Sequence, residues 1–262
     1  MRASILNIRQ AANAGGGADA VILNILKKID RKAFDVATLY IRKYGDDITP
    51  IRTNIEALGL PFLESAGLKF FDPFQLFRII GIIKKRGVRI VHTHDPKSDF
   101  FGYLIKRILP KVKLIATLHG WSSMTRKGGF YRGIDFFALK SFDAIVAVSG
   151  STAEYARSKG IARVELIRNS IDLKEWSPLD AAVGGKGFRV GFVGRLSKEK
   201  APLDFLKVAK AVLEKCPDIE FYIAGEGPEK KAVEGFIESS GISRSVRLLG
   251  QLSKDEVKRL YA

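Results

Sequence analysis

The segment "FVGRLSKEKAP" (192–202) places two cations in the turn that follows an apolar run. Gly194 lets the chain turn, Arg195 offers a planar fork of donors that fits a phosphate, and Lys200 adds a compact second charge. A diphosphate presents two adjacent anionic groups, so the pattern predicts a diphosphate-binding loop. Solvated loop charge is the alternative interpretation, because charged residues are common in surface loops.

Two glycine-rich segments could approach an anion with backbone N–H groups. In "AGEGPE" (224–229), Gly225 and Gly227 flank Glu226 ahead of a predicted helix, and a "GGG" run (15–17) precedes another helix. A glycine loop before a helix N-terminus favours negative charge, although a flexible glycine turn is an equal interpretation of the "GGG" run. Neither G-x-G-x-x-G nor G-x-x-x-x-G-K-[ST] occurs, so the dinucleotide and P-loop fingerprints are unsupported.

All three histidines lie at or near two neighbouring strand ends. His92 and His94 are followed by Asp95, and His119 is followed by Gly120. Metal coordination needs three or more converging ligands, and no His/Cys/Asp set occurs at a recognised spacing, so no metal site is predicted. His92 alternates within its strand and is interpreted as structural, whereas the histidines at the strand ends are predicted to donate hydrogen bonds to a substrate.

Short runs rich in β-branched residues alternate with amphipathic segments along most of the chain. Near-continuous apolar strands are typical of a parallel sheet with helices on both faces, and ligands bind beyond the carboxyl ends of such strands. We therefore predict an α/β, doubly wound fold. The predicted strands span 3–8, 35–41, 88–94, 112–119, 143–149 and 164–169, and the predicted helices span 18–29, 73–87, 97–109 and 151–160.

This regular alternation fails around 172–188, where Pro178 and a group of glycines lie close together, and then restarts. We predict a first domain at 1–172, a linker at 173–187 and a partial second domain at 188–262. Ser253, with Glu256 three residues later, predicts a capping box at the last helix. The second domain is predicted to have strands at 188–194, 219–225 and 246–250 and helices at 202–215 and 228–239.

The 262-residue chain has 44 Lys and Arg against 28 Asp and Glu, a formal net charge of +16. A positive field serves nucleic acid, an anionic membrane or phosphorylated ligands. Segments 78–87, 105–113 and 124–132 interleave cations with large apolar residues, which favours an anionic membrane surface or a lipid-linked anion. Snorkelling side chains on ordinary surface helices explain the pattern equally well. No nucleic-acid-binding signature occurs, so nucleic acid is not a predicted partner.

Targeting signals and cysteines indicate the compartment. No apolar window reaches membrane-spanning length and no signal peptide is visible, so we expect a cytoplasmic protein. Peripheral attachment at the inner face of the cell membrane stays open. The single cysteine, Cys216, cannot form an internal disulfide.

Seven segments taken together resemble the GT-B glycosyltransferases of the GT4, or group 1, type. They are "GGG" (15–17), "HTHD" (92–95), "TLHG" (117–120), "VSGSTAEY" (148–155), "IRNSID" (167–172), "FVGRLSKEKAP" (192–202) and "IAGEGPEKK" (223–231), in the order and approximate spacing of that family. The resemblance covers essentially the whole chain. It implies two Rossmann-like domains facing a cleft, with a nucleotide-diphosphate sugar bound mainly by the second.

The resemblance also implies a metal-independent transfer that retains the anomeric configuration and needs no cofactor; no DxD triplet occurs here. Arg195 and Lys200 would hold the donor's diphosphate and stabilise charge on the leaving group, and His119 would donate to a sugar hydroxyl. Gly16 and Gly17 would admit the acceptor and a phosphate from the opposite wall. The other implied substrate-binding residues are His94, Asn169, Gly194 and Gly227, with Gly225 and Glu226 lining the nucleotide pocket.

Family members continue beyond the helix that corresponds to "SKDEVKRLYA" into a strand and a Glu-rich loop whose carboxylates contact the sugar and ribose. This sequence stops at that helix, so we expect an incomplete second domain that further sequence or a partner chain would complete. The expected function is transfer from a UDP- or GDP-sugar to a glycan or lipid-linked acceptor, in cell-envelope polysaccharide, lipopolysaccharide or glycolipid synthesis. A non-catalytic GT-B remnant or a subunit of a split transferase is the alternative. A nicotinamide-dependent oxidoreductase is suggested by fold class alone.

Overall fold

A computed structural model describes residues 2–11, 16–68, 72–120, 126–176 and 188–261, with side chains of 126–131 excepted. The chain divides into two compact units, Met1–Ile171 and Asp172–Ala262. The predicted linker at 173–187 lies outside the described residues from position 177 onward.

The first unit alternates strands and helices throughout. Its elements are β1 (Ala3–Gln10), α1 (Gly17–Lys28), β2 (Phe34–Lys43), α2 (Thr49–Glu56), β3 (Phe62–Gly67), α3 (Pro73–Lys85), β4 (Ile90–Thr93), α4 (Pro96–Ile108), β5 (Lys113–Leu118), α5 (Arg126–Leu139), β6 (Ala144–Ala147), α6 (Gly150–Ser158) and β7 (Val164–Leu166).

The seven strands pair in the order β3-β2-β1-β4-β5-β6-β7, and every pairing is parallel. β2 and β3 extend to one side of β1, whereas β4 to β7 extend to the other, so the winding reverses between β1 and β4. At such a switch point the flanking helices leave a crevice beyond the carboxyl ends of the strands. The N-terminus of α1 and the residues that follow β4 are therefore placed where a ligand would bind.

The sheet is buried on both faces, as the apolar strands predict. In β2, Leu39 and Ile41 pack into one hydrophobic cluster, whereas Val36 and Tyr40 pack into a second. Successive side chains of a strand point to opposite faces, so this strand contributes to a core on each side of the sheet. The predicted α/β, doubly wound architecture is confirmed.

Aspartates begin the two helices that follow β3 and β4. Asp72 accepts the backbone N–H groups of Phe74 and Gln75 at the start of α3. Asp95 accepts from the backbone of Ser98, whose hydroxyl receives the backbone N–H of Asp95 in return, a reciprocal capping box. These caps fix the positions at which the chain leaves the sheet.

The second unit has a smaller sheet in the order β10-β9-β8, again parallel. Its core contains Leu206 of α7, Phe221 and Ile223 of β9, and Val233 of α8. The predicted capping box is confirmed, since Ser253 Oγ accepts the backbone N–H of Glu256 while the Glu256 carboxylate accepts that of Ser253. The elements are β8 (Arg189–Val193), α7 (Pro202–Leu213), β9 (Glu220–Ala224), α8 (Lys230–Ser239), β10 (Val246–Gly250) and α9 (Lys254–Tyr261).

Three elements were not predicted, namely α2, β3 and α5. β3 has the sequence "FLESAG", in which Glu64 is paired with Arg42 and Arg52 at a partly exposed edge strand. α5, "RKGGFYRGIDFFAL", contains three glycines, which weaken a helical pattern. Polar edges and glycine-rich helices lack the apolar periodicity on which the prediction depends.

Candidate functional site

Two loops at the carboxyl edge of the three-stranded sheet are hydrogen-bonded to each other. One follows β8 at 194–201, and the other follows β9 at 225–229. Leu196 donates its backbone N–H to the Glu226 carbonyl at 3.0 Å, and Glu229 donates to the Leu196 carbonyl at 3.0 Å. The Leu196 side chain is also buried. The structure thus brings together, in two adjoining loops, the residues that the sequence analysis singled out there: Gly194, Arg195, Lys200, Gly225, Glu226 and Gly227.

Gly225 and Gly227 lie where the two loops approach too closely for a side chain. Gly225 has a φ of +140°, and a Cβ at this position would lie 1.9 Å from the Gly194 carbonyl oxygen. A Cβ at Gly227 would lie 2.3 Å from the Leu196 carbonyl oxygen. The sequence analysis expected a ligand to approach the backbone at these glycines. In the described structure the backbone of the neighbouring loop approaches them instead.

Arg195 and Lys200 extend into solvent from the loop after β8. Within the described part of the chain, neither side chain has a hydrogen bond or an ion pair. Lys200 ends a short 3-10 helix, Lys198–Lys200, and the left-handed residue Ala201 (φ +52°) connects it to Pro202 at the start of α7. A helix N-terminus favours anions, so two uncommitted cations beside it form a candidate site for a doubly charged group.

Glu226 carries the one carboxylate among the predicted site residues of these loops, and it is neutralised locally. Its carboxylate accepts at 2.8 Å from Lys230, the first residue of α8. That hydrogen bond raises the pKa of Lys230. Because Lys230 offsets its charge, Glu226 does not cancel the positive charge of Arg195.

In the first unit, α1 begins at the switch point without a side-chain cap. Gly16 is the N-cap residue and provides no side-chain hydrogen bond to the first turn. A Cβ at Gly16 or Gly17 would meet no atom within 4 Å among the described residues. The described residues around Gly16 and Gly17 therefore do not require glycine for packing, and the helix N-terminus is a candidate site for an anion. Gly15, the first residue of the "GGG" run, lies outside the described residues.

The three histidines form a row of neighbouring rings at the ends of β4 and β5. The ring centroids of His92 and His94 are 4.2 Å apart, and those of His94 and His119 are 5.6 Å apart. His92 Nε2 lies 2.8 Å from the Thr117 hydroxyl, and His94 Nδ1 lies 3.3 Å from His119 Nε2. Among the described residues, no group of three or more His, Cys, Asp or Glu could hold a metal ion.

Burial keeps the row uncharged. It lowers the pKa of His92 to about 4, with a smaller contribution from His119. Burial and then Arg9 lower the pKa of His119 to about 4, and burial lowers that of His94 well below its ordinary value. A neutral imidazole donates one hydrogen bond and accepts one, so His119 can position a hydroxyl but is not a cation at neutral pH.

The sequence analysis did not identify a buried network beside this row. The Asp19 carboxylate of α1 accepts from Arg9 Nε at the end of β1 and from the Tyr40 hydroxyl at 2.8 Å. Burial, and next the Asp19 charge, raises the pKa of Tyr40 far above its ordinary value. Arg9 could have been identified from the sequence, because it is a charged residue near the end of an otherwise apolar strand. The network ties the first turn of α1 to the carboxyl end of the sheet.

Asn169 lies in the exposed segment after β7. β7 is three strands from β4, on the order of 14 Å across the sheet. The segment is nevertheless attached to α1, because Asn24 of that helix donates to the Ser170 carbonyl at 3.1 Å. The structure shows no contact of Asn169 with the histidine row among the described residues.

The sequence matches two glycosyltransferase families. Residues 15–175 match Glycosyltransferase Family 4, and residues 180–262 match Glycosyl transferases group 1.

Curated relatives carry glycosyltransferase names. The chain is 25% identical, over 80% of its length and 59% of the relative, to the Escherichia coli UDP-Gal:alpha-D-GlcNAc-diphosphoundecaprenol alpha-1,3-galactosyltransferase. It is 33% identical to the 2-deoxystreptamine N-acetyl-D-glucosaminyltransferase of Niallia circulans, over 76% of this chain and 58% of the relative. It is 26% identical to the phosphatidylinositol N-acetylglucosaminyltransferase GPI3 subunit of Saccharomyces cerevisiae RM11-1a, over 93% of this chain and 57% of the relative. The chain thus spans less than two thirds of each relative.

Solved structures share the fold. Anabaena Alr3699/HepE in complex with UDP and glucose superposes with a TM-score of 0.79 at 17% identity, over 99% of this chain and 71% of that one. Sucrose-phosphate synthase of Thermosynechococcus elongatus gives a TM-score of 0.77 at 16% identity, over 99% of this chain and 73% of that one.

Proposed function

Because the chain belongs to Glycosyltransferase Family 4, we propose that it binds a nucleotide-diphosphate sugar and takes part in transfer of the sugar to an acceptor. The observation that carries the proposal is the pair of uncommitted cations, Arg195 and Lys200, in the loop after β8. UDP is the favoured nucleotide, since the Escherichia coli relative is named for UDP-Gal and the Anabaena structure contains UDP.

Cleavage of such a donor breaks the bond between the anomeric carbon and a phosphate oxygen, so negative charge grows on the departing UDP. The Arg195 guanidinium can donate two parallel hydrogen bonds to phosphate oxygens, and the Lys200 ammonium can contact another. Donors aimed at developing charge each contribute about 3 kcal/mol to lowering a barrier. On this proposal these two residues take the place of a metal ion, and the family resemblance supports retention at the anomeric carbon.

The family resemblance implies that residues of the first unit contact the sugar. His119 is half-buried at the end of β5 and neutral, which suits hydrogen bonding to a hydroxyl. Gly16 and Gly17 leave the N-terminus of α1 open to the acceptor or to a phosphate. The Arg9–Asp19 ion pair holds that helix end in place.

The proposed acceptor is lipid-linked and presented at an anionic membrane surface. Phe74 and Phe77 of α3 are 77% and 66% exposed, and Lys84 and Lys85 lie in the last turn of the same helix. Apolar side chains that enter the interface and cations that meet head groups contribute about 1 kcal/mol each, enough for weak reversible binding. The names of two relatives specify diphosphoundecaprenol and phosphatidylinositol acceptors. No helix in the described residues is long and apolar enough to cross a bilayer.

The membrane proposal is tested by sedimentation with vesicles of phosphatidylcholine, with and without phosphatidylglycerol. We expect binding only to the anionic vesicles, and we expect Phe74→Ser with Phe77→Ser to abolish it. Phe188→Ser, at a residue 80% exposed in the other unit, is the matched control and should bind normally. Equal binding by the α3 double variant and the wild type would exclude this surface.

A second candidate function is that of a subunit in a transferase complex. The Saccharomyces relative is named as a subunit. In the described part of the second unit, β8 is an edge strand, and its Val190 and Val193 are 39% and 37% exposed. Exposed strand edges are natural pairing sites for another chain. Purification from the native source with a second protein bound would favour this candidate, whereas a lone chain that transfers sugar would exclude it.

The transfer proposal is tested by incubating the chain with radiolabelled UDP-sugars and a membrane lipid extract. We expect label in the lipid fraction, reduced about 100-fold by Lys200→Gln, which removes one donor to the leaving group. Lys210→Gln is the matched control, because Lys210 lies on α7, about 12 Å from the N-terminus of that helix. Full activity of the Lys200 variant would contradict the assigned role.

A further inference from the structure

His94 and His119 share one hydrogen bond between their rings. His94 Nδ1 and His119 Nε2 are 3.3 Å apart. Both rings are neutral, because burial lowers the pKa of each below the physiological range. One of the two nitrogens must therefore carry the hydrogen and the other the lone pair. The direction of this bond decides the tautomer of each ring.

The surroundings of His94 Nε2 indicate which of the two rings donates the shared hydrogen bond. His94 is 3% exposed, and its Nε2 is buried without a hydrogen-bond partner among the described residues. If His119 donated, the proton of His94 would lie on Nε2 as an unpaired, buried N–H. If His94 donates, Nε2 is left as a bare lone pair. Orphaned buried N–H groups are rarer in proteins than under-satisfied acceptors, so the second arrangement is favoured.

We propose that His94 is a positioning residue, which donates its Nδ1–H to Nε2 of His119 and so fixes His119 as the Nδ1–H tautomer. The Nδ1–H of His119 then becomes the donor available to a ligand at the carboxyl end of β5. No other hydrogen bond of His119 exists within the described residues. Use of that donor toward a sugar rests on the proposed function, whereas the tautomer is a property of the free chain.

Nitrogen NMR of the ligand-free chain tests the proposal directly. The chain has three histidines, so selective [15N]histidine labelling gives three resolvable imidazoles. Long-range 1H–15N correlation distinguishes protonated from bare ring nitrogens by their large shift difference. We expect Nδ1 protonated and Nε2 bare for both His94 and His119 at neutral pH. A protonated Nε2 on His119 overturns the proposal, whether or not the chain binds UDP.

Two variants test whether His94 is the cause. His94→Phe keeps a ring in the row but removes the donor, so we expect the His119 signals to move toward the Nε2–H tautomer. His94→Asn keeps an amide N–H near the position of Nδ1 and should restore the Nδ1–H tautomer. Thr117→Val is the control, since it removes the partner of His92 and should leave His119 unchanged. An unchanged His119 in His94→Phe overturns the proposal, and if that variant does not fold, the wild-type spectrum decides.

Discussion

Gly225→Ala should separate the two loops that carry the proposed diphosphate site. Its φ of +140° is a conformation that a residue with a Cβ adopts at a cost of about 1–3 kcal/mol. The new Cβ would lie 1.9 Å from the Gly194 carbonyl oxygen, so the loops must part by about 1.5–2 Å to reach ordinary contact. That movement weakens the Gly194–Ala224 and Leu196–Glu226 backbone hydrogen bonds, at about 1 kcal/mol each. The second unit should lose about 3–5 kcal/mol of stability.

Urea unfolding followed by tryptophan fluorescence measures this loss. The chain has two tryptophans, and Trp176 lies in the second unit near Tyr261. In a Trp121→Phe background its emission reports that unit alone. Gly235→Ala is the matched control, because a Cβ on that exposed residue of α8 meets nothing and alanine should stabilise the helix by about 0.5–1 kcal/mol. An unfolding midpoint of Gly225→Ala equal to that of the parent would refute the close-approach argument.

Further predictions concern two aspartates and a glycine. Burial raises the pKa of Asp143, but hydrogen bonds from the Leu114 N–H, Lys106 and Lys113 outweigh burial and lower this pKa to about 2. The ionised carboxylate therefore stabilises the fold fully above the unfolded value of 3.8, and this stabilisation disappears as the pH falls through about 2. Asp143→Asn should therefore cost about 1–2 kcal/mol at neutral pH, and this cost should shrink as the pH falls from 3.8 through about 2, measured by urea unfolding across pH. Burial, and next Asp135, raises the pKa of Asp99 well above its ordinary value of 3.8, so stability from this group is lost as pH rises above that value. Asp99→Asn should therefore gain stability relative to wild type as pH rises, and a difference that stays constant with pH would contradict this. Gly17→Ala should leave the melting temperature unchanged but weaken ligand binding at α1, as calorimetry would show; a large drop in melting temperature would show that packing requires this glycine.

The strands of the first unit that position the candidate site were predictable because each is a short run rich in β-branched residues within a sheet that is buried on both faces. The structure has β1, β2, β4, β5 and β6 within two residues of the predicted positions. β3 was missed because Glu64 and Ser65 interrupt its apolar pattern. Strand order was not read from the sequence, and so the position of the switch point between β1 and β4 required the structure.

Individual contacts of the candidate site were less predictable than its location. Strand ends identified His94, His119 and Arg195, but no local pattern reports that His94 and His119 share a hydrogen bond across 25 positions. The same limit applies to the pairing of Arg9 with Asp19, which depends on how α1 packs on the sheet. Residue type predicts which side chains can bind a ligand, whereas tertiary packing decides which of them already hydrogen-bond to other residues of the protein.

Calorimetric titration of UDP and UMP into the wild type and an Arg195→Gln, Lys200→Gln double variant tests the central claim most directly. The claim is that these uncommitted cations hold the diphosphate of the donor. We predict that the wild type binds UDP more tightly than UMP by about tenfold or more, and that the double variant binds both with similar affinity. A double variant that keeps the full preference for UDP, or a wild type with no preference, would contradict the account.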